Sequence, residues 1–200
     1  AWFTNHEQAA PETIDDLTKA EFKGLTVVEN PSTSSTGLAF LIATIGKFGA
    51  DKWTKYWEEL KANDVRIDAG WEEAYNLSFS GSAGKGNYPI VLSYSSSPAF
   101  EENTASIDDG CFRQTEYAGL IRGGSNADGA KKFLAYLLSD KFQKTIPDNM
   151  YVYPVSTTVR LPEAWATKAP AATNAIAVDS KTINANRSDW LKAWDAIFKN

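Results

Sequence analysis

Short β-branched runs alternate with stretches of helical period through the first hundred residues, and two of the runs end in clusters of turn and hydroxyl residues. Residues 25–29 form the first run, the turn-prone Asn30-Pro31 follows, and Leu38, Leu41, Ile42, Ile45 and Phe48 then recur at helical spacing. Gly49 ends that helix, and Trp53, Tyr56, Trp57 and Leu60 lay out a second one reaching Asn63. The pattern continues with a short strand at 65–68, a short helix from Trp71 to residue 79, a flexible connection at 80–86 and an apolar strand at 89–94. Such alternation favours the α/β class, with a mostly parallel sheet flanked by helices on both faces.

Downstream, residues 111–120 read as a longer strand. Residues 127–138 read as an amphipathic helix burying Phe133, Leu134, Leu137 and Leu138, with 139–146 as its continuation after a cap. A Pro- and Ala-rich stretch at 161–177 reads as irregular, and 188–198 as a closing helix with Trp190, Leu191, Trp194, Ile197 and Phe198 inward. Trp53, Trp57, Trp190 and Trp194 lie at helical intervals and are expected in the core or at an interface between lobes. There is no internal repeat. Two hundred residues at 43% hydrophobic and 22% charged content can bury one core without metals or disulfides, so one domain over 1–200 is expected.

A net charge of -5 without a basic cluster weighs against nucleic acid as a partner. No run of about eighteen apolar residues offers a membrane-spanning helix. Cys111 is the single cysteine, which excludes an internal disulfide, and beside Phe112 it reads as a small buried hydrophobe. The single histidine, His6, sits in a polar segment, which makes a histidine-based triad difficult to assemble. Residues 1–10 read as structured and carry no Met, so a truncated N-terminus is expected.

Five consecutive hydroxyl residues, Ser32, Thr33, Ser34, Ser35 and Thr36, lie between a strand's carboxyl end and a helix's first turn. Unpaired N–H groups and the positive dipole end attract anions there. An N-cap accounts for one or two of these hydroxyls, and the remainder suggest a donor-lined cradle for a phosphate, sulfate or carboxylate. Ser95, Ser96 and Ser97 before Pro98 repeat the design after the strand at 89–94, and read equally as a well-capped turn. Aromatic residues accompany both: Trp71 and Tyr75 at a strand-to-helix junction, Tyr94 and Phe100 around the second run, and Tyr151 and Tyr153 in a later loop. Such rings suit a flat cation. Other patterns carry less. The Gly-Lys pair within 80–86 lacks the spacing of a phosphate loop, and Glu101-Glu102 and Asp108-Asp109 read as solvated acidic pairs.

Residues 27–40, 70–75, 91–99 and 146–155 resemble the thiamine-binding solute receptors of ABC importers, in the family's order and with similar spacing. The resemblance covers nearly the whole chain. It implies one lobe of a type II periplasmic-binding-protein fold, two α/β lobes joined by hinge segments, with ligand in the cleft between them. This chain would be the second lobe, with hinge-proximal segments near 1–24 and 147–160. The first lobe, and its neutralisation of the thiazolium cation, would lie before Ala1, and the lobe alone would bind weakly.

By the same resemblance Ser34 and Ser35 contact the ligand's hydroxyethyl or phosphate end, Trp71 lines the cleft, and Tyr94, Ser95, Ser96 and Ser97 complete that wall. Tyr151 matches a position where some relatives carry Trp, and Phe100 one where some carry Tyr, which removes a hydroxyl. The implied function is an extracytoplasmic receptor, periplasmic or lipid-anchored, that captures thiamine, its monophosphate or its diphosphate for a permease. It would use no cofactor, catalyse nothing and meet the membrane through the permease or an anchor. Two other readings remain: a receptor of the same architecture for sulfate, phosphate or ferric ion, and a transferase or hydrolase using a serine of 95–97, which has neither a histidine base nor a nucleophile elbow.

Overall fold

A computed structural model describes residues 1–81 and 86–199. Its sheet has three parallel strands in the order β2-β1-β3: β1 Thr26–Glu29, β2 Arg66–Asp68 and β3 Ile90–Val91. All four residues of β1 are buried, as a central parallel strand covered on both faces requires. The register pairs Glu29 with Asp68 and Thr26 with Ile90, so the carboxyl ends of β1 and β2 finish side by side. The strand expected at 89–94 forms a ladder only over its second and third residues.

Helix α1 is the short turn Trp2–Asn5, and α2, Ser35–Phe48, follows β1. Ser34 caps α2 by accepting a hydrogen bond from the Gly37 N–H at 3.3 Å. Gly37 is required here: a Cβ on it would stand 2.5 Å from the Glu29 carbonyl oxygen. The first turn of α2 therefore rests directly on the end of β1. Gly49, at φ 79°, stops the helix.

Helix α3, Trp53–Ala62, packs between α2 and the long closing helix α9, Ser180–Phe198. Trp57 is fully buried at their junction, edge-on to Phe40 and Trp194, with ring centroids 5.5 and 5.6 Å away. Its indole N–H donates to the Thr44 hydroxyl at 2.9 Å. Trp53 and Trp194 are also buried, and Trp190 packs against the same cluster half-exposed, as the helical spacing led us to expect.

The second half departs from the sequence-based expectations. Residues 113–121 are exposed and carry no strand: of the stretch 111–120, Phe112 alone bridges, to Ile176, because the run finds no further backbone partner among the described residues. Helix α5, Ala127–Leu137, forms where its period places it, but no residue in it is buried. Phe133 and Leu138 stay 59% and 67% exposed, while Leu134 and Leu137 beside them are only half-buried and α6 packs against the helix through Phe142 on Tyr136. Two short helices, α6 Asp140–Gln143 and α7 Ile146–Met150, replace the single continuation. Helix α8, Glu163–Lys168, interrupts the stretch read as irregular, drawn in by the fully buried Trp165.

Cys111 is half-buried. Asp109 is no solvated charge: it accepts the Ile14 N–H at 2.9 Å and pairs with Lys47. The reading of 80–86 as a flexible connection falls mainly on 82–85, outside the described residues.

Candidate functional site

The first turn of α2 and the turn after β2 face each other across an open pocket of about 510 Å³, lined by Thr33, Ser34, Ser35, Thr36, residues 69–70, Trp71, Glu72 and Glu73. It lies beyond the carboxyl ends of neighbouring parallel strands, where loops leave the sheet and ligands are accommodated in α/β folds. Thr33 ties the two rims by donating its hydroxyl to the Ala69 carbonyl at 2.6 Å. Glu73 closes the β2 turn by accepting the Ala69 N–H at 3.0 Å. Ser35 is exposed at the first helical position, while Ser34 is half-buried.

Trp71 opens α4, Trp71–Glu73, which continues as a π turn, Ala74–Ser78. The wider turn sets Tyr75 parallel beneath the indole, with centroids 4.6 Å apart and planes at 16°. Tyr94 leans on the same indole at 5.8 Å. Burial, with Glu101 nearby, pushes the Tyr75 phenol up to about 12, and burial also raises that of Tyr94. Both rings are therefore neutral, electron-rich surfaces at neutral pH.

The Trp71 indole N–H donates to Ser93 Oγ at 2.9 Å, and Ser93 Oγ lies 2.7 Å from Ser97 Oγ. Ser97 thus braces the indole rather than facing the pocket directly. Ser95 Oγ lies 3.3 Å from the Tyr153 hydroxyl, which donates to the Ala169 carbonyl. Ser96 is 1% exposed and donates to the Tyr151 carbonyl at 2.6 Å, so it fixes the loop behind the wall. Tyr151 itself sits in the left-handed region at φ 57° and meets Phe100 edge-on at 4.9 Å, and both rings are exposed.

Ser34, Ser35 and Trp71 therefore share one pocket, Tyr94 adjoins it, and Ser97 supports it. Ser95, Ser96, Phe100 and Tyr151 form a second patch held by Trp165, which packs edge-on to Phe100 and Tyr153. Three participants escaped sequence reasoning. Ser93 and Trp165 carried no signal, because their partners come from distant segments. Glu29, fully buried at the end of β1, did carry one: a charged residue closing an apolar central strand has no solvated face to occupy. Among the described residues no group of three or more His, Cys, Asp or Glu is placed to hold a metal ion.

The profile of the bacterial extracellular solute-binding proteins matches residues 3–186. The thiamine-binding periplasmic protein of Salmonella typhimurium is 31% identical over 92% of this chain, and that of Escherichia coli 29% identical over the same share. The chain spans 56% of the length of each. Among solved structures, a periplasmic thiamin binding protein superimposes with a TM-score of 0.77 at 26% identity, over 94% of this chain and 59% of its own.

Proposed function

The chain belongs to the bacterial extracellular solute-binding proteins, and on that premise we propose that it binds thiamine or a thiamine phosphate for delivery to the permease of an ABC importer. The observation that carries the reading is the pocket in which the hydroxyl-lined start of α2 faces the Trp71 indole. Thiamine carries a flat thiazolium cation, joined through a methylene to an aminopyrimidine ring, with a hydroxyl or phosphate at one end. The Trp71 indole, backed by the buried Tyr75 ring and adjoined by Tyr94, suits the cation, an attraction of about 0.5–2 kcal/mol for a well-placed ring. Glu72 and Glu73 add negative charge to the same rim. Ser34, Ser35 and the free N–H groups of the first helical turn suit the polar end. The names of the relatives support the same ligand class.

In this reading residues 1–200 form one lobe of a two-lobe receptor, with the hinge near 1–24 and 147–160, and Phe100 and Tyr151 extend the ligand wall. The protein works outside the cytoplasm and reaches the membrane through the permease or a lipid anchor. Its site binds and does not react: the single histidine, His6, stacks on Trp2 at 3.9 Å and bonds its carbonyl, leaving Ser95, Ser96 and Ser97 without that base. A ferric or sulfate ligand would leave the stacked rings without a role.

Titration calorimetry with thiamine and thiamine monophosphate tests the reading. Both forms bind the wild-type chain, Trp71→Ala weakens both by about tenfold, and a Ser34→Ala/Ser35→Ala variant loses more affinity for the phosphate form. Sulfate binding without heat from either thiamine form would contradict the ligand assignment.

A further inference from the structure

Glu29 takes no part in the binding scheme above, yet it is wired to it. Its side chain is 0% exposed, Oε2 accepts the Thr36 hydroxyl at 2.8 Å, and Oε1 is buried without a hydrogen-bond partner. Thr36 Oγ1 lies 2.8 Å from Ser34 Oγ, and Ser34 Oγ accepts the Gly37 N–H. A continuous chain of hydrogen bonds thus runs from a buried carboxyl to a hydroxyl on the pocket wall.

Each hydroxyl in that chain has one proton to give. An ionised Glu29 can only accept, so Thr36 donates to it, Ser34 donates to Thr36, and Ser34 offers the pocket a lone pair. A protonated Glu29 can donate to Thr36 and reverse the order. Thr36 then donates to Ser34, whose own O–H is left to point into the pocket. We propose that Glu29 is a specificity-determining positioning residue, which sets whether Ser34 offers the polar end of the ligand an acceptor or a donor. The ionised form favours a ligand hydroxyl, and the protonated form favours a phosphate. This rests on the reading of the pocket as a thiamine site.

The surroundings allow both states. On β2, Asp68 is the register partner of Glu29, and it is bonded to Arg66 and Ser78. Glu73 lies 4.0 Å from Arg66. Tyr75 on the π turn and Tyr94 beyond β3 are neutral, and Lys47, at the far end of α2, pairs with Asp15 and Asp109. Two carboxyls thus lie side by side with the neighbouring cation bonded to Asp68. Burial, with Asp68 adding to it against the Thr36 bond, raises Glu29 from 4.5 to about 7, within the neutral range.

Two readouts on the full chain test this. In ligand-free NMR, the Gly37 amide should follow the Glu29 carboxyl carbon with one midpoint, stay flat in Glu29→Gln, and stop following in Thr36→Val. A Gly37 shift that persists in Thr36→Val is a through-space field effect and overturns the relay. In calorimetry, the preference for thiamine monophosphate over thiamine should fall about tenfold in wild type relative to Glu29→Gln as pH rises through the Glu29 midpoint, the size of one hydrogen bond to a charged group. The phosphate's own titration is common to both proteins and cancels. An equal pH profile in the two proteins overturns the proposal. If Gly37 follows Glu29 but neither thiamine form binds, the relay stands and the ligand assignment falls.

Discussion

At Glu29 a carboxyl is held where water cannot reach it, and the sign of its effect on stability follows directly. Its pKa in the fold, about 7, lies above the ordinary 4.5, so the native chain binds the proton more tightly than the unfolded one. This contribution is whole below 4.5, is lost as pH rises toward about 7, and is flat above. The loss amounts to about 3 kcal/mol. Urea unfolding at several pH values should show wild type falling relative to Glu29→Gln across that window. Gly37→Ala is a second test at this scale: the new Cβ meets backbone, not a flexible side chain, so the start of α2 must lift from β1. That variant should lose both stability and thiamine affinity. That a hydroxyl within 32–36 caps α2 and that Trp71 is incompletely buried were legible in the sequence, because both follow from neighbours in the chain; that the cap is Ser34 was not. Ser93 and the Thr36 link were not, since their roles depend on contacts between separate strands and turns.

Among elements, α2, α3 and α9 announce themselves by period; the structure buries the whole marked face of α3, most of that of α2, and on α9 only Trp194, with Trp190, Leu191, Ile197 and Phe198 packed against the core half-buried. Trp57 is where those faces meet. Trp57→Ala should cost about 3–5 kcal/mol in chemical denaturation, chiefly from the cavity, since the Thr44 hydroxyl loses the indole donor but still donates to the Leu41 carbonyl at 2.8 Å. The same period marked Phe133, Leu134, Leu137 and Leu138 on α5, and there a helix formed without burial. Phe133→Ala should therefore change stability by less than about 1 kcal/mol in this chain. Periodicity reports which face prefers burial and says nothing of what covers it. The absent strand at 111–120 makes the same point for sheets, since a β-prone run becomes a strand only where another backbone supplies its ladder. The π turn after Trp71 had no sequence signal either, although it sets the Trp71–Tyr75 stack.

For the molecule as a whole, the segment 93–97 serves two hydroxyl- and aromatic-rich patches beyond one parallel sheet: Ser93 and Ser97 brace Trp71, while Ser95 and Ser96 hold the Tyr151 and Tyr153 loop. The composition foreshadowed this arrangement, because Ser-rich strand ends and rings in turns have little place in a core. A competing cavity of about 270 Å³ between residues 112–113 and 173–178 lacks both the hydroxyl run and the stacked rings. The most direct test is amide chemical-shift mapping of the chain during a thiamine titration. The binding account requires the largest shifts at 33–37, 69–73 and 93–97. Shifts concentrated at 112–113 and 173–178, or none anywhere at saturating thiamine, would contradict it.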